Sequence, residues 1–188
     1  MNGLTLPEFQ AMARDPRHWQ RTTREFAIAA NYLGDWYDAD SDQYPQDMTV
    51  ESQGSSLPMM VLYAVSVENL LKGIKVSRGV DPVSSGKLAG TFAHHDLVRH
   101  ANEAGISSTS SQESLLSHLR DLIESGKYPV AKTPTKNSTA WHLRFPEDVE
   151  DVWSLLEYLE DVLIASGQPV LPKWNFRIRY RPVGYPKA

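Results

Sequence analysis

The stretch from Met59 to Leu71 is apolar on nearly every face of a helix. A helix with this pattern must be enclosed by other elements, because any outer face would expose apolar side chains to water. Leu57-Pro58 predicts where the helix starts, and Gly73 predicts a weak point or its end. The fully apolar part, Met59–Val67, is too short to span a bilayer, so we expect no membrane insertion. The chain is therefore expected to form a bundle around one buried central helix.

Four further helices are predicted from caps, breakers and apolar periodicity. Asp15-Pro16 is a typical helix start, Gly105, Gly126 and Gly167 are typical stops, and Ser110–Glu113 has the pattern of a capping box. The predicted spans are about 15–38, 95–104, 110–126 and 146–167. The segments 38–56, 77–93 and 127–145 are expected to be loops. The prediction is an all-α bundle of four to five helices, with one domain over residues 1–167.

Charge is unevenly distributed near the C-terminus. Residues 146–167 contain seven acids and no Lys or Arg, whereas residues 168–188 contain five bases and no acid. The last helix and the basic tail can therefore attract each other, within one chain or across a homodimer. The alternative is a solvated helix face and a loose tail. Phe176–Arg181 alternates like a strand, but it has no predicted strand to pair with, so the tail is expected to be extended.

Two charged side chains interrupt the central helix. Glu68 and Lys72 are four residues apart with the acid first, the order that favours a pair along one helix face. The pair is either structural or the frame of a polar pocket. In both cases a charge in this apolar setting needs a partner.

A histidine-rich segment opens the predicted helix at 95–104. His94, His95 and His100 are candidate acid–base groups, because imidazole titrates near neutral pH. His95 and His100 are five residues apart, which does not suit metal binding from one helix face, so no metal site is predicted. Asp96 can cap the helix. The alternative is a polar site formed by this segment and the Glu68–Lys72 pair.

Other signals are weaker. Arg17, Arg21 and Arg24 form a basic stripe that can contact phosphates or simply face water. The net charge of −4 limits any nucleic-acid contact to a local patch. The chain has no cysteine, which excludes disulfides and thiol chemistry. The phosphate loop, dinucleotide fingerprint, zinc protease and hydrolase motifs are absent from the sequence, and no cofactor is expected.

Three motifs, in order and at matching spacing over Leu57–Val130, resemble the HEPN-like helical domains. Tyr63–Gly73 is similar to their central helix with its ENLLKG-type sequence, and His95–Leu97 is similar to the HDL that opens a later helix. Gly126–Val130 is similar to a GRYP-type segment of one bacterial branch. The resemblance implies a cytoplasmic helical bundle, commonly dimeric, that binds a nucleotide, RNA or a protein partner. Glu68, Lys72, Asp96, Arg99 and Tyr128 are the binding residues that it suggests.

The chain departs from the catalytic members of that family. Those ribonucleases carry an arginine followed, after four to six residues, by a histidine on one helix. Here Arg14 and His18 are separated by three residues including Pro16, and Arg99 and His100 are adjacent. We therefore expect a non-catalytic binding or regulatory module, in a toxin–antitoxin or phage-defence system by family analogy. The alternative is a ribonuclease or nucleotide-acting enzyme with a histidine-based site, in which Lys72 or Arg99 stabilises phosphate charge.

Overall fold

The computed structural model describes residues 4–41, 50–126 and 147–177. Within these ranges the chain forms six α-helices and one two-stranded antiparallel hairpin. The elements are α1 (Leu6–Arg14), α2 (Pro16–Ser41), α3 (Val50–Ser77), β1 (Val83–Ser84), β2 (Lys87–Leu88), α4 (Leu97–Glu103), α5 (Ser110–Gly126) and α6 (Glu147–Ala165). The all-α prediction is confirmed.

Helix α3 is the centre of the bundle and packs against α2, α4, α5 and α6. Its buried side chains include Met59, Met60, Tyr63, Ala64, Val67, Leu70, Leu71 and Ile74. The Leu57–Ser77 part is long and apolar enough to cross a membrane by length and composition, but 67% of its apolar window is buried inside the protein. This is the behaviour of a core helix, which must be apolar all round because helices surround it.

The start of α3 differs from the sequence prediction. The helix begins at Val50, and Pro58 lies inside it, whereas Pro58 was expected to mark its first turn. A proline removes only one backbone hydrogen bond, so the bonds on either side can carry the helix through it. Gly73 does not end the helix either, because α3 continues to Ser77.

Gly73 is instead a point of close approach between α3 and α2. A methyl group on Gly73 would lie 3.1 Å from Trp19 Cβ and 3.7 Å from the carbonyl oxygen of Pro16. The 3.7 Å distance is ordinary van der Waals contact, but the 3.1 Å distance is tight, and Trp19 Cβ is attached directly to the backbone of α2 and cannot move aside without it. Glycine at this position allows the two helices to pack at short distance.

Gly73→Ala is therefore expected to destabilise the protein by about 1 kcal/mol, because overpacking outweighs the gain in helix propensity. Gly34→Ala is the matched control, since among the described residues a methyl group there meets Met59 Sδ alone, at 3.2 Å, in a flexible side chain. Urea unfolding of both variants measures the difference. Equal stability of the two variants would contradict the close contact at Gly73.

Two elements were missed by the sequence analysis. Helix α1 begins with a capping box formed by Thr5 and Glu8, in which Glu8 Oε2 accepts from the backbone N–H of Thr5 at 2.8 Å, and it has a proline in its first turn. The segment 77–93, expected to be a loop, contains the β1–β2 hairpin. Its turn uses Ser85 and Gly86, both at positive φ, the geometry that a tight two-residue hairpin requires.

The caps of the later helices are largely as expected. Asp96 caps α4 by accepting a hydrogen bond from the backbone N–H of Arg99 at 3.0 Å. Gly105 and Gly167 follow α4 and α6 at positive φ. The capping box of α5 was placed one residue too late, because Thr109 and Gln112 form it instead of Ser110 and Glu113.

The described part of the tail, residues 168–177, has no helix or strand and lies against α2 and α6. Lys173 Nζ is 2.7 Å from Asp161 Oδ2, and Arg177 Nε is 2.9 Å from Glu157 Oε1. The acidic helix and the basic tail therefore attract each other within one chain in this region. Phe176 is fully buried in the core, so this part of the tail contributes to the bundle. Arg179, Arg181 and Lys187 lie outside the described residues.

Buried polar side chains bind the backbone of this tail. The Gln20 amide accepts from Leu171 N at 2.7 Å and donates to Leu171 O at 3.1 Å. Glu160 Oε2 accepts from Trp174 N at 2.7 Å, and Asn31 Nδ2 donates to Phe176 O at 3.0 Å. An extended segment has no hydrogen bonds of its own, and these side chains supply the partners that its buried backbone needs.

Candidate functional site

The two motif segments meet at the contact between α3 and α4. We use the term motif cluster for seven side chains there. They are Glu68, Lys72 and Lys75 from α3, His94 and His95 from the segment before α4, and His100 and Glu103 from α4, of which Glu103 is the last residue. These groups divide into two connected halves.

The first half is centred on Glu68, whose carboxylate is almost completely buried. Lys72 Nζ donates to Glu68 Oε1, and His95 Nδ1 is 2.8 Å from Glu68 Oε2. Burial alone would raise the pKa of Glu68, but the Lys72 ammonium and the His95 contact outweigh it and hold that pKa below its ordinary value. The prediction that Glu68 and Lys72 face the segment at His95 is confirmed.

The second half is centred on Lys75, whose side chain is only 1% exposed. Its ammonium lies 2.5 Å from Glu103 Oε2, 2.6 Å from Thr91 O and 3.3 Å from His100 Nδ1. It also lies 4.2 Å from the centre of the Phe92 ring, within cation–π range. The sequence analysis did not select Lys75 or Glu103. The available signal was a second lysine, three residues after Lys72, in a helix with little room for charge.

Two histidines stack beside Lys75. The rings of His94 and His100 are 4.1 Å apart and 15° from parallel. Desolvation lowers the pKa of His100 to about 4, so its imidazole is neutral at physiological pH. Desolvation also lowers the pKa of His94. His100 is fully buried, and its Nε2 lies 3.0 Å from the carbonyl oxygen of His94, which fixes Nε2 as the protonated nitrogen.

These histidines include a set of possible metal ligands. One ligand atom each from His94, His100 and Glu103 lies within 4.8 Å of the others. Helical spacing, which speaks against a metal site formed by His95 and His100, does not apply to this set. His94 precedes the helix and folds back over it, so its distance from His100 does not follow from a helical repeat.

The remaining predicted binding residues have separate positions. Asp96 acts as the cap of α4, and Arg99 pairs with Glu103 at 2.7 Å on the exposed side of that helix. Of the two, Arg99 remains available to solvent, with 55% of its side chain exposed. Tyr128 lies outside the described residues.

The three arginines of the predicted basic stripe do not share one solvent-facing surface. Arg17 pairs with Asp15 at 2.9 Å, and Arg21 is exposed. Arg24 is mostly buried, binds Glu160 at 2.8 Å and lies over the Trp174 ring. Arg24 therefore does not face water, because the described tail covers that side of α2 and Arg24 binds the carbonyl oxygen of Pro172 there.

The motif cluster can do two things chemically. It can hold α3 and α4 together through paired buried charges, and it can present the His95 imidazole, 39% exposed, with its Nδ1 side fixed by a carboxylate. No family model, no curated protein and no solved structure matches this chain. The likeness to HEPN-like domains therefore stays a prediction from the motifs.

Proposed function

We propose that this chain is a non-catalytic, HEPN-like binding or regulatory module of the cytoplasm that recognises RNA or a nucleotide. The observation that supports this is that both carboxylates of the motif cluster are paired with basic side chains. Glu68 is matched by Lys72 and His95, and Glu103 is matched by Lys75 and Arg99. Charges paired in this way stabilise architecture, whereas a catalytic group needs a protonation state that is tuned for transfer.

The recognising surface in this proposal is the exposed edge of the motif cluster. His95 and Arg99 lie four residues apart around the start of α4, and both keep substantial exposure. The Arg99 guanidinium can donate to a phosphate group, and so can His95 in its imidazolium form, through Nε2, while its Nδ1 donates to Glu68. A homodimer and a role in a toxin–antitoxin or phage-defence system are part of the proposal by family analogy.

Replacing His95 and Arg99 together with alanine is expected to weaken RNA or nucleotide binding at least about tenfold, because each phosphate contact adds a charge-assisted hydrogen bond. Arg14→Ala is the matched control, since Arg14 is an exposed arginine paired with Asp81 at 2.9 Å outside the motif cluster. Fluorescence anisotropy with labelled single-stranded RNA and with nucleotides measures both. The proposal would be contradicted if the double variant bound RNA or nucleotide as tightly as the wild type, or if the wild type bound neither ligand. A binding module would then have to recognise a protein partner.

The enzyme alternative has one specific observation in its favour. A buried carboxylate 2.8 Å from His95 Nδ1 is the arrangement that orients an imidazole as a general base. His94 and His100 are less suited to this role, because His100 is fully buried and both are held neutral with lowered pKa. RNA cleavage by the wild type that His95→Ala abolishes and His118→Ala retains would establish this alternative in place of the binding module.

A further inference from the structure

The half of the motif cluster around Lys75 has the composition of a cation site. Two imidazoles and a carboxylate converge there, with their ligand atoms within 4.8 Å of one another. A nitrogen–oxygen set of this kind suits zinc and its neighbours in the first transition row.

His100 is prepared as a ligand. Its Nε2 donates to the carbonyl oxygen of His94 at 3.0 Å, which leaves the Nδ1 lone pair directed toward the Lys75 ammonium, itself bound to Glu103. A metal-bound histidine ordinarily donates its other N–H to a carbonyl or carboxylate in this manner. The ring orientation that a metal would need is therefore already present.

His94 supplies a second nitrogen. Among the described residues, its Nε2 is buried without a hydrogen-bond partner, and it lies 4.0 Å from Glu103 Oε2. Its Nδ1 accepts from the backbone N–H of Asp96 at 3.2 Å. Ligation through Nε2 moves the ring proton to Nδ1 and gives up that long hydrogen bond. A buried polar atom without a partner gains what it lacks when it binds a metal.

A cation already lies against two of these three groups. The Lys75 ammonium is within 3.3 Å of both Glu103 Oε2 and His100 Nδ1. The site thus attracts positive charge, and the lysine competes with any metal for the same lone pairs.

We propose that His94, His100 and Glu103 form a site for one divalent transition-metal ion of the zinc class, which takes the place of the Lys75 ammonium. The ion would link the segment before α4 to the end of that helix. The proposal does not depend on the function proposed above, and it concerns the other half of the motif cluster.

The test is to titrate the chelator-treated full chain with metal alone. Binding of Co²⁺ is monitored by visible absorption, and binding of Zn²⁺ is measured by calorimetry. We expect uptake of one ion per chain. Glu103→Gln removes the charged ligand but keeps an amide oxygen that can accept from Lys75, so the fold should survive, and the apparent Kd should weaken at least about tenfold. His118→Ala, at an exposed histidine of α5, is the control and should leave the apparent Kd unchanged.

Lys75→Met tests the competition separately. It keeps the aliphatic stem beside Phe92 and removes the ammonium. If the ammonium fills the site for more than about nine-tenths of the time, its removal should tighten the apparent Kd about tenfold or more. The proposal is overturned if the wild type takes up no ion, if Glu103→Gln binds as the wild type does, or if only Lys75→Met binds. The last result would show that the lysine fills the site permanently.

Discussion

Glu160→Ala is expected to lower the free energy of unfolding by about 3–5 kcal/mol, the range for removing one partner of a buried ion pair. Glu160 is fully buried in α6 and accepts three kinds of hydrogen bond. Its partners are Arg24 Nη2 at 2.8 Å, Gln20 Nε2 at 2.9 Å and Trp174 N at 2.7 Å. Alanine would leave a mostly buried guanidinium, a buried amide N–H and a partly buried backbone N–H without this acceptor.

Glu157→Ala is the matched control for that measurement. Glu157 is an acid of the same helix, three residues earlier, and it pairs with Arg177 where both side chains are substantially exposed. An exposed pair contributes no more than about 1 kcal/mol. Urea unfolding of both variants at neutral pH gives the comparison. Similar small losses for the two acids would show that Glu160 is solvated and that the tail is not held by a buried charge.

The parts of the fold that sequence could predict are those that local pattern determines. The apolar stretch at Met59–Leu71 identified the central helix, and Gly105 and Gly167 identified two helix ends, because caps and periodicity act within a few residues. Helix α1 had the same kind of signal, a Thr5-to-Glu8 capping box, and it was overlooked. The start of α3 was misplaced because proline was treated as a first-turn residue, whereas the helix continues through it.

In the candidate site, too, contacts within one helix could be predicted from the sequence, whereas contacts between distant residues could not. The Glu68–Lys72 pair was predictable, because its members are four residues apart on one helix. Contacts between distant residues were not, since periodicity carries no information about which elements meet. Lys75 meets Glu103 across 28 residues, and Gln20 meets Glu160 across 140. The burial of His100 and the covered position of Arg24 both result from such contacts.

Glu68→Ala and Lys72→Ala are each expected to cost about 3–5 kcal/mol. The first leaves the buried Lys72 ammonium without its carboxylate, and the second leaves the buried Glu68 carboxylate with only the His95 contact. The structure places the pair in the α3–α4 contact, with both side chains almost fully buried. Arg14→Ala provides the surface comparison, since the Arg14–Asp81 pair is about half exposed on both sides. Its expected loss is no more than about 1 kcal/mol.

The pH dependence of stability offers an independent check on Glu68. Its pKa in the folded protein lies below the ordinary value of 4.5, because Lys72 and His95 outweigh the effect of burial. The unfolded chain therefore binds this proton first as the pH falls, and the ionised carboxylate stabilises the fold only above that range. The stability difference between the wild type and Glu68→Gln should be largest near neutral pH and shrink as the pH falls from about 5 toward 3.

Unfolding of the wild type and Glu68→Gln by urea across that pH range measures the difference and cancels the contribution of the other carboxylates. A difference that stays constant with pH, together with losses in the surface range for both alanine variants, would mean that Glu68 and Lys72 are a solvated pair. A large loss that fades in acid would establish that the two family-like motifs are joined by a buried charge. In that case the buried pair fixes α4 against α3, and His95 and Arg99 are held in the fixed positions that recognition of a ligand requires.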